Sequence, residues 1–76
     1  MLLNELAEAV SSGDSDKSKI LTEKLLSEGV RSDDIVVRGL TRGLTMLGEM
    51  WNRGEAFLVD VLCAVDAFKT AMGVVQ

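Results

Sequence analysis

Val36, Leu40, Leu44, Leu47 and Trp51 step along the chain by four, four, three and four residues. That spacing keeps apolar side chains on one face of a helix for about five turns, which no strand can do, because a strand changes face at every residue. A second apolar series begins at Phe57 and runs through Leu58, Val61, Leu62, Val65, Phe68, Met72 and Val75. Asn52, Arg53 and Gly54 form a short connection between the two series, so they belong to separate helices that meet at a corner. Trp51 lies at the end of one helix, and Leu58 and Val61 lie at the start of the next. These three side chains share one rim and are the candidate site residues, as a lid or an anchor.

The rest of the chain supplies two more helices. Leu2, Leu3, Leu6, Ala7 and Val10 recur at helical spacing, which predicts a short amphipathic helix over residues 2–12, ended by Gly13. Asp14 or Ser15 is placed to cap the next helix, over about residues 15–28. Ile20, Leu21, Leu25 and Leu26 mark its buried side, and Gly29 stops it. Ser32, followed by Asp33 and Asp34, offers a capping hydroxyl and two carboxylates for the positive end of the third helix. Connections of a few residues make successive helices antiparallel neighbours. The expected fold is all-α, a four-helix bundle in up-down-up-down order, with residues 1–76 as one domain. An apolar content of 47% with only 4% aromatics and no proline suits helices packed through Leu, Val and Ala.

Gly39, Gly43 and Gly48 fall inside the third helix, where each costs about 1 kcal/mol relative to Ala. Close approach of a neighbouring helix is the expected compensation, and Gly48 in addition makes room beside Trp51. Asp34 with Arg38, and Glu49 with Arg53, are acid-before-base pairs at i and i+4. Cys63 sits in the middle of the last helix, where a small buried hydrophobe is expected and no thiol chemistry is assigned.

Several function classes are excluded at this level. A net charge of −4 and a pI near 4.6 argue against a nucleic-acid partner, which needs a basic face. A single Cys permits no intrachain disulfide, and neither a signal peptide nor an apolar run able to span a bilayer is present, so a cytoplasmic setting without membrane contact is expected. The chain has no His, and no nucleophile–base pair or metal-ligand cluster is apparent, so by itself it is expected to be non-catalytic. The apolar face of the last helix is wider than three short partners can cover, so part of it is intended for another surface. A stand-alone helical module that dimerises or binds a partner through Trp51 would satisfy the same observation.

Gly48-Glu49-Met50-Trp51, followed by Gly54-Glu55-Ala56-Phe57-Leu58, resembles the helical cap that precedes cobalamin-binding domains in methionine synthase, in the corrinoid proteins of methylamine and methanol methyltransferase systems, and in cobalamin-dependent light-responsive regulators. The resemblance spans about Leu3 to Val75. It implies a four-helix cap that shields the upper axial face of methylcobalamin and opens for methyl transfer, with Trp51, Leu58 and Val61 as the cofactor contacts. The cap of an adenosylcobalamin light-responsive regulator is the second branch it allows. The family usually has Pro directly after the Phe-Leu pair, where this chain has Val59, so the start of the last helix is expected to be freer. The family's downstream Rossmann-like domain carries an Asp-x-His-x-x-Gly motif whose His ligates cobalt from below, and this chain reaches Gln76 without a His. It is therefore expected to be a domain of a longer corrinoid protein. Its expected partners are the cobalamin-binding domain of that protein and the methyltransferase subunits that donate and accept the methyl group, with cobalamin held fully only when the downstream domain is present.

Overall fold

A glycine closes each of the first three helices in the computed structural model, which describes residues 2–76. The helices are α1 (Leu2–Ser11), α2 (Ser15–Ser27), α3 (residues 32–52) and α4 (Leu58–Val75), and no strand occurs among the described residues. They form the expected antiparallel up-down-up-down bundle, 37 Å long and 17 Å across. The Asp14 carboxylate caps α2 by accepting the Lys17 N–H at 3.0 Å, leaving Ser15 as the first helical residue. Among the described residues no helix is long and apolar enough to cross a membrane.

α3 is continuous but not uniform. Ser32–Asp34 and Arg42–Asn52 are α-helical, while Ile35–Thr41 is a π-helical stretch, whose bonds run from i to i+5. Its wider turn moves the buried register by one residue from the expected stripe. Ile35 is fully buried and Val36 only half-buried, and from Leu40 to Leu47 the stripe runs as the spacing predicts. Gly39 and Gly43 face α1. A Cβ on Gly39 would come within 2.7 Å of Leu6 Cδ2, and one on Gly43 within 2.7 Å of both the Ala7 carbonyl oxygen and Val10 Cβ. Close helix approach thus explains two of the three helical glycines, and Leu6, Val10, Ile35 and Leu40 form the centre of the core behind them.

α4 lies mainly along α2, and its inner edge is made of alanines: Ala64, Ala67 and Ala71 are buried. The facing helix is also built from small residues. Ser18 and Thr22 are fully buried on α2 beside Leu21 and Leu25, and the Thr22 hydroxyl donates to the Ser18 carbonyl at 2.7 Å, so its polarity is met locally. Ile20, expected on the buried side of α2, is exposed, because the small polar pair takes the inward positions. Cys63 is likewise exposed rather than buried. It stands beside the alanine edge, under the α1–α2 turn, where a Cβ on Gly13 would come within 2.5 Å of Cys63 Cβ. Phe68, Met72 and Val75 of α4 pack against the core, while the large apolar residues of its first two turns point away from the bundle: Leu58, Val59, Leu62 and Val65 are exposed, as the width of the apolar series foretold.

Candidate functional site

The corner between α3 and α4 is held by three sets of bonds. Gly54 adopts φ +74°, a left-handed conformation open to a residue without a Cβ. This lets the Glu55 N–H donate to the Met50 carbonyl at 2.8 Å and the Gly54 N–H donate to the Trp51 carbonyl at 3.0 Å, a Schellman closure of α3. Arg53 Nε meets Glu55 Oε1 at 3.1 Å. The expected pairing of Arg53 with Glu49 does not form, because the chain reverses at Gly54 and brings Glu55 back beside the guanidinium; Asp34 and Arg38 do pair, loosely, at 4.0 Å. Phe57 is extended and exposed, and is the residue before α4 rather than part of its buried stripe. Its N–H donates to Asp60 Oδ2 at 2.8 Å, which pins the first turn of α4 that Val59, in place of Pro, was expected to loosen. Asp60→Ala should therefore lower stability by about 1 kcal/mol, seen as a drop of roughly 5 °C in the thermal midpoint.

Beneath this corner Leu47, Ala56 and Ala64 form a small buried cluster, flanked by Leu44, Met50 and Val61. Above it opens a groove of about 400 Å³, lined by Leu44, Leu47, Gly48 and Trp51 from α3 and by Leu58, Val61 and Val65 from α4. Trp51, Leu58 and Val61 thus stand together, as their spacing predicted. Trp51 keeps 49% of its surface exposed and Leu58 65%, while Val61 is half-buried between groove and cluster. Leu44, Leu47 and Val65 also line the groove without having been singled out for it. The signal was present, since Leu44 and Leu47 share the Trp51 stripe and Val65 follows Val61 by one turn.

Every lining residue is apolar or glycine. A groove of this kind can cover an apolar face and keep water from it; its one polar group is the Trp51 indole N–H, a donor, and it offers no side-chain acceptor or metal ligand of its own. A cleft of about 360 Å³ on the other side of α3 is lined by Arg38, Arg42, Asn4, Leu3 and Val37, and its charged wall favours water over an apolar ligand. The corner groove is the better candidate. No group of three or more His, Cys, Asp or Glu side chains that could hold a metal ion occurs among the described residues.

Residues 2–76 match the family model described as "B12 binding domain". The chain belongs to this family. A corrinoid protein of Desulfitobacterium hafniense is 35% identical over 75 residues, which cover 99% of this chain and 35% of that protein. Dimethylamine corrinoid protein 3 of Methanosarcina acetivorans is 35% identical over the same share of each chain. The solved monomethylamine corrinoid protein of Methanosarcina barkeri superposes with a TM-score of 0.92 at 26% identity, over 96% of this chain and 34% of that one. The chain spans about a third of the length of the curated relatives it matches. The bundle is thus the helical B12-binding fold that the Gly48–Leu58 motif pointed to, and the family's cofactor class is a corrinoid. The groove suits such a group on one side only, because it presents an apolar wall to a flat ring and no side chain able to reach cobalt as a ligand.

Proposed function

We propose that this chain is the cap of a corrinoid methyl-carrier protein, laid over the upper axial face of methylcobalamin. The half-exposed Trp51 in a wholly apolar groove carries this reading, since so large an open aromatic at a rigid corner is unusual without something to cover it. The corrinoid, when bound, supplies a cobalt centre that accepts and gives up a methyl group. Trp51 lies across that face, Leu58 and Val61 close the rim, and together they exclude water. A cobalamin-binding domain that holds the ring from below completes the site, and methyltransferase subunits reach the cobalt when the cap moves aside.

The cap must hold and also release. Full burial of a side chain of this size contributes about 1.5–3 kcal/mol, and Trp51 and Val61 are already partly buried against the bundle, so closure gains only part of that from each. A net preference of a few kcal/mol for the closed state follows, small enough for a partner enzyme to overcome. Because Trp51 is the chain's one tryptophan, its fluorescence reads the groove directly. Its emission should be strongly quenched when the chain and a cobalamin-binding domain are loaded with methylcobalamin, because the corrin absorbs where indole emits. Emission that is the same with and without the corrinoid would refute the reading.

A further inference from the structure

The three glycines inside α3 do not have the same reason to be there. At Gly39 and Gly43 an added Cβ runs into α1, whereas at Gly48 nothing lies within 4 Å of where a Cβ would be. Nor does the backbone call for glycine, since positive φ occurs only at Gly13, Gly29 and Gly54. Helix propensity counts against glycine at this position, so the fold by itself would be better served by alanine. Open space alone is not decisive, because Gly73 has it too; but Gly73 is near the end of α4 and lines none of the clefts described above. Gly48 lines the apolar groove, with Leu44 one turn before it and Trp51 one turn after it on the same wall.

We propose that Gly48 is a specificity-determining residue of the groove: its bare backbone admits the group carried on the corrin's upper face, and the side-chain volume at position 48 sets how bulky that group can be. This rests on the cap reading above. A side chain at position 48 would project between Leu44 and Trp51 into the space the ligand uses. Any loss should therefore grow with its size and with the size of the upper ligand, while the fold is unharmed.

The test uses Gly48→Ala and Gly48→Leu, with two readouts that need no turnover. In the corrinoid-free protein, Gly48→Ala should raise the thermal midpoint by about 4 °C. Affinity measured through Trp51 quenching should fall about fivefold for Gly48→Leu with methylcobalamin and further with adenosylcobalamin, with Gly48→Ala in between. A lower midpoint for Gly48→Ala would show that the fold requires the glycine and would overturn the proposal. So would affinities that match the wild type in both variants while wild-type Trp51 still responds to corrinoid, an outcome that leaves the cap reading standing. If wild-type Trp51 shows no response, the cap reading falls and this inference falls with it.

Discussion

In the corrinoid-loaded protein, Trp51→Ala is expected to speed photolysis of the bound methyl form about tenfold while leaving the bundle folded. The two effects separate because of where the side chain sits. Trp51 is already 49% exposed and stands at the mouth of the groove rather than in the cluster beneath it, so truncation should lower folding stability by about 1.5 kcal/mol, well short of what a core aromatic costs. Closure loses its largest contact surface. A loss of about 1.4 kcal/mol in the closed state is one factor of ten in its population, within what half a Trp side chain can contribute. With the cage open more often, Trp51 would no longer wall off from water the group that the corrinoid carries. Trp51→Phe should restore most of the protection, because it keeps an aromatic wall. A photolysis rate unchanged by Trp51→Ala would remove this residue from the lid.

Gly43→Ala should produce the largest loss of folding stability, about 2 kcal/mol or roughly 10 °C in the thermal midpoint. The added methyl would meet the Ala7 carbonyl oxygen and Val10 Cβ, each at 2.7 Å. Neither can swing aside. A backbone carbonyl moves only with its helix, and a Cβ is fixed by its own backbone, so α1 must shift outward and loosen the core around Leu6 and Val10. Gly39→Ala should be milder, because the nearest atom it meets is the terminal Cδ2 of Leu6, which a rotamer change can move. Thermal unfolding of the two variants side by side checks the order. If Gly43→Ala melts with the wild type, close approach to α1 is not the reason for that glycine.

The architecture and the candidate groove were legible because both rest on periodicity broken by glycine. The Gly54 reversal separates Trp51 from Leu58 and Val61, and spacing on either side of a reversal is enough to place side chains on a common rim. What escaped the sequence has particular causes. Hydrophobicity alone points Ile20 inward on α2, whereas the inward positions are held by Ser18 and Thr22, whose small size matters more than their polarity once α4 approaches through alanines. Ile35 displaced Val36 because a π-helical stretch changes the period itself, and no residue pattern announces where i to i+5 bonding will occur. Cys63 follows the same rule as Ile20: apolar character does not bring burial on a helix whose buried edge is alanine. The pairing of Arg53 with Glu55 depends on the turn geometry at Gly54, which i and i+4 arithmetic on a straight helix does not contain.

The alanine edge of α4 has a consequence for how this fold can change over time. Ala64, Ala67 and Ala71, flanked by Phe68 and Met72, carry the attachment to the bundle, while Leu58, Leu62 and Val65 project from the other side of the same helix. Mutations that alter what the helix presents outward therefore do not disturb what it rests on. Chemistry on the outer side can drift, sampling smaller, larger or aromatic residues, with little risk to the scaffold. A single helix with its two duties assigned to opposite sides is an evolvable part, and the same division makes the exposed groove positions 58 and 65 a natural library for redirecting the groove to other flat, apolar ligands.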